Sequence, residues 1–510
     1  MNVAEKIVQI LEEEGVKTVF GMPGEQIMPL YKALSTSNIH HVLTRHEQAA
    51  CHAADGFTRS SGDIGVCIST ASPGALNFTM ALATAYKDNV PILVLTGDNE
   101  LKYRGTDQFQ SLPQTEIFKN ITRASYNPLN GTEAVFGLRA AIYELKTMPK
   151  GPIHINLSKD VLMQEDFDDF DLCYLCEEDM SNISRAQELI DSSAKPLLIL
   201  GAGAISQKDT IEMLARKYQI PVATTFHGKG IISEKDDLNL GLVGTRSTPR
   251  AKYAFDNADC IIALGIKASE RTLPSVPDNL IHVNINRDVL VGDCQIHGKV
   301  EDFLLKINFK KTEWLDEILE IDNSIEIEGS DDDLSPQAAI KRILDRFANN
   351  ITVSDAGSHT TWTTLFKKST RPGHLLFSGG LAPMGYGLPA AIGASFATAE
   401  KVIVINGDGD FQMNLQELAT LRENNLDVIV FIINNSEFGI IRQWQEQFYD
   451  MSPYQIKLQN PDFVKLASSY SIDAVRVDNL SDLEYLLEKD LKGPLVVDVV
   501  VRSENIPFPK

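Results

Sequence analysis

The chain has 510 residues, 43% of them hydrophobic, a length that suggests roughly three domains at about 150 residues each. Lys and Arg number 47 against 69 Asp and Glu, a net charge of −22. That balance excludes a general nucleic-acid binder, which needs a basic face. No run of about 18 apolar residues is present to span a membrane, and the polar N-terminus reads as no signal peptide. The expected compartment is therefore the cytoplasm. Six cysteines are too few for a disulfide scaffold. Cys173 and Cys176 form a lone CxxC without a second pair and read as incidental thiols.

In chain order, Glu5 to Glu14 reads as a helix with Ile7, Ile10 and Leu11 on one face. It leads through Gly15 into the apolar run 16–20 and the turn Gly21-Met22-Pro23-Gly24. His41-Val42-Leu43 precedes a helix from Glu47 to Ser60, and Gly65 to Ser69 precedes one from Leu76 to Tyr86. Pro91 to Leu95 and Pro152 to Leu157 read as further buried strands. The middle repeats the theme: Pro196 to Leu200 runs into Gly201-Ala202-Gly203-Ala204, and Ile220 to Thr224, Cys260 to Leu264 and Ile281 to Ile285 follow. After about residue 309 comes a charged stretch with Ser330-Asp331-Asp332-Asp333, read as a linker. A third unit starts near Ser335, with strands at 351–354, 402–406, 428–434 and 495–501. Strands alternating with helices imply parallel sheets covered on both faces. The expected architecture is α/β, with three doubly wound parallel-sheet domains at 1–165, 185–310 and 335–510.

The most specific feature is Gly407-Asp408-Gly409-Asp410-Phe411 followed by Ile432-Ile433-Asn434-Asn435. Asn435 lies 27 positions after Asp408, with Gln416 to Arg422 as a crossover helix between two apolar strands. Both groups sit at carboxyl ends of strands, where α/β sheets bind ligands. A carboxylate and an amide oxygen in one crevice suit Mg²⁺, which joins a few protein oxygens to phosphates. A backbone carbonyl near Glu437 completes that set, and Gly409 permits close approach to phosphate oxygens. Taken singly, Asp408 reads as a helix cap and Asn434-Asn435 as a turn.

This pattern resembles the signature of the thiamine-diphosphate-dependent enzymes, and the remaining blocks resemble their acetolactate synthase branch. Those blocks are residues 44–50 (Thr-Arg-His-Glu-Gln-Ala-Ala), 72–77 (Ser-Pro-Gly-Ala-Leu-Asn), 105–110 (Gly-Thr-Asp-Gln-Phe-Gln), 378–387 (Ser-Gly-Gly-Leu-Ala-Pro-Met-Gly-Tyr-Gly) and 442–449 (Arg-Gln-Trp-Gln-Glu-Gln-Phe-Tyr). The resemblance implies a pyrimidine-binding first domain, a central domain and a diphosphate-binding third domain. It places the cofactor between the first domain of one subunit and the third of its partner. A homodimer or homotetramer follows, with a regulatory subunit as a further partner.

Residue by residue, the resemblance puts Glu47 on N1′ of the aminopyrimidine, although a lone glutamate there is more often a surface helix residue. Pro23, Gly24, Pro73 and Asn77 fall at cofactor-binding positions of the first domain. Ala356, Gly357, Ser358 and His359 resemble the loop that touches the diphosphate, beside Gly407, Gly409 and Asp410. Met384 matches the bulky side chain that bends the cofactor, and Ala382 offers its carbonyl to the exocyclic amine. Asp408, Asn435 and Glu437 match the metal positions. Trp444, Phe109, Met413 and Ile440 match a pocket for a second 2-keto acid, with Gln110 as a catalytic partner.

Two departures bear on the reaction. Glu25 stands where the branch usually has glycine, and simple 2-keto acid decarboxylases carry an acid there that handles protons. FAD-binding members carry Arg-Phe-Asp-Asp-Arg in the central domain, whereas this chain has Lys267-Ala268-Ser269-Glu270-Arg271 and Asn284-Ile285-Asn286. The implied activity is decarboxylation of pyruvate and carboligation to a second 2-keto acid, giving 2-acetolactate. A non-ligating decarboxylase and a flavin-dependent oxidase stay open as alternatives, as does FAD itself. A non-enzymatic nucleotide-binding module would leave Glu47 and the Asp408/Asn435 pair without a purpose.

Overall fold

A computed structural model describes residues 1–147, 149–170, 178–324 and 334–506. Cys173, Cys176 and the Ser330–Asp333 stretch lie outside the described residues. The strands form three six-stranded sheets. The first holds β1 (Thr18–Gly21), β2 (His40–Leu43), β3 (Gly65–Ser69), β4 (Ile92–Asp98), β5 (Ala124–Tyr126) and β6 (Ile153–Ser158), in the order β2-β1-β3-β4-β6-β5. The second holds β7 (Pro196–Leu200), β8 (Val222–Thr224), β9 (Asn239–Leu242), β10 (Cys260–Leu264), β11 (Leu280–Asn284) and β12 (Cys294–His297), ordered β12-β11-β10-β7-β8-β9. The third holds β13 (Ile351–Ser354), β14 (Leu375–Leu376), β15 (Val402–Gly407), β16 (Val428–Asn434), β17 (Asp473–Val477) and β18 (Leu495–Val500), ordered β14-β13-β15-β16-β18-β17. The first and third sheets belong to one compact unit, and the second sheet forms the core of another.

These strands are near-continuous apolar runs because both sheet faces are covered. Every residue of β3, β7, β10 and β16 is buried. Several elements depart from the periodicity reading. The helix expected over 76–86 is two, Ser72–Asn77 and Thr79–Asp88, because Pro73 suits a first helical turn and starts the first one early. The expected crossover at 416–422 is a 3₁₀ turn, Leu415–Glu417, and a helix, Leu418–Glu423. The edge strands β5, β9, β12, β14 and β17 were not anticipated; β17, with Asp473 and Arg476 exposed, lacks an apolar run.

Each sheet reverses its strand order near its middle, between β1 and β3, between β7 and β10, and between β13 and β15, and the first and third turn back again at the edge pairs β6/β5 and β18/β17. Such switch points leave a crevice at the carboxyl edge. All three crevices are lined by the glycine- and aspartate-rich turns singled out above.

In the first unit, the helix Glu47–Ser61 packs against the helix Gly387–Thr398 through glycine and alanine. A Cβ on Gly56 would lie 2.0 Å from the Ala390 carbonyl oxygen, and one on Gly393 1.8 Å from that of Ala53. Only glycine permits such an approach. The pairing of 53 with 393 and of 56 with 390 makes the two helices antiparallel. At 1.5 Å per residue, Glu47 and Met384 therefore lie roughly 20 Å apart along the pair, at opposite ends.

Candidate functional site

The first crevice is built from the turns after β1 and β3. Gly24 lies against Thr70, where a Cβ would come within 2.3 Å of the threonine Cβ. Thr70 Oγ1 donates to Gln26 Oε1 (3.1 Å), and Gln26 Nε2 donates to Asn99 Oδ1 (3.4 Å). Asn99 Nδ2 in turn donates to the Phe109 carbonyl (2.8 Å). Ser72 N donates to the Gln110 carbonyl at 3.3 Å, and Gln110 holds a left-handed φ of 58°. Pro73 and Asn77 are exposed on the helix that follows, and Pro23 on the turn before Gly24.

Glu47 opens its helix directly after His46, whose Nδ1 caps the first turn by accepting from Gln48 N at 3.2 Å. The Glu47 carboxylate accepts from Asn77 Nδ2 at 2.9 Å. Gly74 leaves room for it: a Cβ there would lie 2.7 Å from Glu47 Oε1. Nearby, Tyr31 hydrogen-bonds His41 at 2.8 Å. Burial and then the Glu47 charge push the Tyr31 hydroxyl up, and burial lowers His41 to about 4. Burial thus favours the neutral form of both Tyr31 and His41. Glu25 projects outward, 74% exposed, with Lys159 Nζ 3.3 Å from its carboxylate.

The third crevice gathers three aspartates at the ends of β13 and β15. Asp408 is buried, and its Oδ2 accepts from Asn460 Nδ2 at 2.6 Å. Asn460 also donates to Asn434 Oδ1 at 3.0 Å. β15 pairs with β16 from Val402 to Gly407, opposite Val428 to Ile433, which brings Asp408 beside Asn434 and Asn435. Asn435 Oδ1 accepts from Glu437 N at 3.2 Å. The Glu437 carboxylate turns away to Arg442 (2.9 Å), Lys457 (2.6 Å) and Ser503, and its backbone carbonyl accepts from Gly439 N at 3.0 Å. Among the described residues no three His, Cys, Asp or Glu side chains cluster as metal ligands; a cation here would draw on one carboxylate, amide oxygens and backbone.

Burial raises Asp408, and it raises Asp410 well above the usual range, with the charges of Asp355 and Asp408 adding to it. Burial lowers His359 to about 4. His359 Nε2 and Asp410 Oδ2 lie 3.4 Å apart, yet neither has a hydrogen-bond partner. Burial disfavours the charged form of both groups, and both atoms remain without a hydrogen-bond partner. Gly357 and Gly407 close around the imidazole: a Cβ on Gly357 would lie 2.8 Å from His359 Cε1, and one on Gly407 3.3 Å. Ala356 and Ser358 flank that turn. A Cβ on Gly409 would meet the Phe438 ring at 2.8 Å.

Asp355, which sequence reasoning passed over, organises this edge. Burial raises it to about 6. It accepts from Ala356 N (2.8 Å), Asn406 Nδ2 (3.0 Å), Gly385 N (3.1 Å) and Gly387 N (2.7 Å). It thereby fixes the loop of Ala382 and Met384. Ala382 holds a φ of 52° and is exposed; Met384 is half-buried. Asn460 and Asn414 were missed too, the latter donating to the Gly385 carbonyl at 2.7 Å. Asp355 carried the same signal as Asp408, an aspartate directly after an apolar strand. Asn460 lies in a loop and carried none. Met413, Trp444 and Phe109 are large apolar side chains that stay 50%, 40% and 79% exposed, with Ile440 half-buried.

Comparison with known proteins gives the family. The chain matches the thiamine pyrophosphate enzyme N-terminal TPP-binding domain over residues 1–117, the central domain over 183–307 and the C-terminal TPP-binding domain over 355–499. It is 37% identical to a probable acetolactate synthase large subunit of Methanocaldococcus jannaschii, across 100% of this chain and 93% of that protein. This chain belongs to the acetolactate synthase large subunit family. It is 33% identical to the acetolactate synthase large subunit of Cyanidium caldarium (99% of this chain, 94% of that one). It is 32% identical to acetolactate synthase 1, chloroplastic, of Nicotiana tabacum (99% and 82%). As a member of this family it is a thiamine-diphosphate-dependent enzyme.

The second crevice, in the central domain of this family, is closed by its own backbone. Gly201 N donates to the Leu264 carbonyl, Gly203 N to that of Gly265 and Gly265 N to that of Val283, at 2.9–3.0 Å. Asn284 Nδ2 donates to the Ile266 carbonyl at 2.7 Å, and Asn286 caps a 3₁₀ turn.

Proposed function

We propose that this chain decarboxylates pyruvate and joins the two-carbon unit to a second 2-keto acid, giving 2-acetolactate, with thiamine diphosphate and Mg²⁺ as cofactors. The observation that carries the reading is the pairing of full-length similarity to acetolactate synthases with a crevice whose buried aspartates and amides suit a metal diphosphate. The orphaned Asp410 Oδ2 and His359 Nε2 support a polar occupant there. Asp408, Asn435 and the Glu437 carbonyl would hold Mg²⁺, and the turns at 356–359 and 407–410 would line the diphosphate. Thiamine diphosphate, when bound, supplies a nucleophilic carbon and an electron sink for cleaving a bond beside a carbonyl.

The chain's own share is placement and proton control. Glu47, oriented by Asn77, would hold a proton at N1′ of the aminopyrimidine. The Ala382 carbonyl would accept from the exocyclic amine, and Met384 would set the bend between the rings. Trp444, Phe109, Met413 and Ile440 would line the acceptor pocket and exclude water, with Gln110 beside the reacting carbon. Glu47 and Met384 stand at opposite ends of the antiparallel helix pair, so one chain does not bring them together. That separation and the exposure of the pocket side chains support a homodimer or homotetramer in which each site takes Glu47 from one subunit and Met384 from the next. A smaller regulatory partner fits the "large subunit" names of the relatives. Among the described residues no helix is long and apolar enough to cross a membrane, and we place the enzyme in the cytoplasm.

FAD does not fit. A dinucleotide's diphosphate needs backbone N–H groups, and those of Gly201, Gly203 and Gly265 already serve the backbone. A second reading, release of an aldehyde, rests on Glu25, whose exposed carboxylate stands beside Lys159 at the rim of the first crevice. Product analysis after incubation with pyruvate, thiamine diphosphate and Mg²⁺, with and without FAD, separates the two. Chiral acetolactate formed at the same rate without FAD and lost in Glu47→Gln is the expected result. Acetaldehyde alone would overturn it.

A further inference from the structure

The loop from Phe377 to Tyr386 carries Ala382 and Met384, and its middle is exposed. Its ends are gripped by a buried ionic cluster on the first-sheet side of the same unit. Arg59 Nε donates to Asp55 Oδ1 at 2.6 Å, and Arg59 Nη2 donates to Asp88 Oδ2 at 2.8 Å. The Asp55 and Asp88 side chains are 0% and 1% exposed. From that cluster three bonds reach the loop. Arg59 Nη1 donates to the Phe377 carbonyl (3.4 Å), Gly380 N donates to Asp88 Oδ1 (2.7 Å), and the Tyr386 hydroxyl donates to Asp55 Oδ1 (2.7 Å). The guanidinium also stands 5.9 Å from the Tyr386 ring centre.

We propose that Arg59, Asp55 and Asp88 are positioning residues that hold the Phe377–Tyr386 loop in the one conformation that presents the Ala382 carbonyl and the Met384 side chain to the cofactor. The physical case has two parts. A non-glycine residue in the left-handed region costs about 1–2 kcal/mol, and persists where its surroundings over-determine it. Inside the loop Ser378 Oγ accepts from the Ala382 N–H at 3.0 Å. Further restraint comes from both sides of it: the Arg59 cluster at 377, 380 and 386, and Asp355 at 385 and 387. Second, three buried charges are a poor source of net stability compared with apolar packing. Their use here is geometric, because a planar guanidinium fixes several acceptors at once. The cluster grows from the helix that begins with Glu47, so the Glu47 helix and the Met384 loop become parts of one rigid body.

This inference rests on the proposed role of the loop toward thiamine diphosphate, and its test separates the two. Tyr386→Phe removes one bond while keeping bulk, Arg59→Lys keeps the charge but breaks up the guanidinium's bonds to Asp55, Asp88 and the Phe377 carbonyl, and Asp88→Ala removes the Gly380 anchor. In the cofactor-free protein, amide hydrogen exchange over 377–386 is expected to speed up about tenfold or more in each variant, with exchange in the second sheet unchanged. With thiamine diphosphate and Mg²⁺, the dissociation constant for the cofactor is expected to rise about tenfold. At saturating cofactor, proton exchange at its C2 carbon is expected to slow, a readout that simple loss of stability does not move. Variants that melt earlier but show wild-type loop exchange, affinity and C2 exchange would overturn the positioning role. Should Asp88→Ala not fold, Tyr386→Phe still decides. If the wild-type chain fails to bind thiamine diphosphate, the loop's proposed role falls, and the positioning role with it. If it binds and Glu47→Gln slows C2 exchange while Tyr386→Phe and Arg59→Lys do not, only the clamp is refuted.

Discussion

The second and third sheets each change strand order near their middle, at β7/β10 and at β13/β15, yet their crevices are opposites. At the second, Gly203 and Gly265 meet backbone to backbone and the turn amides are satisfied by neighbouring carbonyls. At the third, Asp355, Asp408 and Asp410 are buried together, and an aspartate oxygen and an imidazole nitrogen lack partners. A doubly wound sheet thus supplies a crevice whatever its use. Orphaned polar groups, paid for in burial, mark the one that expects an occupant.

The largest effect should come from breaking the third crevice at its centre. Asp408→Ala removes the one carboxylate of the proposed metal set, and turnover of pyruvate is expected to fall at least about 1000-fold, near 4 kcal/mol. A steady-state assay across a Mg²⁺ titration checks it, and excess Mg²⁺ is not expected to rescue. Full activity at ordinary Mg²⁺ would remove the metal assignment.

Next comes a buried carboxyl that lies against Arg45, beyond the end of β2. Burial raises Glu417 to about 7, although Thr420 Oγ1 (2.7 Å) and Arg45 N (2.9 Å) donate to it. A carboxyl whose folded value lies above its unfolded value contributes stability below the unfolded value and loses it as pH rises through the folded one. Between about pH 4.5 and 7 the wild type should therefore lose stability that Glu417→Gln keeps, a difference on the order of 3 kcal/mol. Denaturant midpoints at pH 5 and pH 8 measure it, and parallel pH curves for the two proteins would contradict it.

The smallest effect belongs to the second crevice. A Cβ on Gly203 would lie 2.8 Å from the Gly265 Cα, so Gly203→Ala must shift one turn. A loss of about 1–3 kcal/mol in stability is expected, with thiamine diphosphate affinity unchanged. A fall in that affinity at constant stability would show that the two crevices are not independent.

Sequence made these edges legible to different degrees. Asp408, Asn435 and Glu47 stand out because each follows an apolar strand and sits among glycines or helix-starting residues. Periodicity also located the interior strands, whose two buried faces demand unbroken apolar runs. Asp355 had the same context as Asp408 but no repeating partner to draw attention to it. Asn460 and the Arg59–Asp55–Asp88 cluster were illegible because their partners lie far off in sequence; Tyr386 and Asp55 are separated by 331 positions. The edge strands β5, β9, β12, β14 and β17 were lost for a different reason, since they carry no long continuous apolar run.

The antiparallel packing of the Glu47 and Gly387 helices has a genetic consequence. If each site borrows Glu47 from one copy and Asp408 from the other, two inactive proteins can repair one another. A chain with Glu47→Gln mixed with a chain with Asp408→Ala yields hybrid dimers having one site with both residues intact and one with neither. Random co-assembly from equal amounts should restore about a quarter of wild-type activity, whereas sites contained within single chains would stay silent in every mixture.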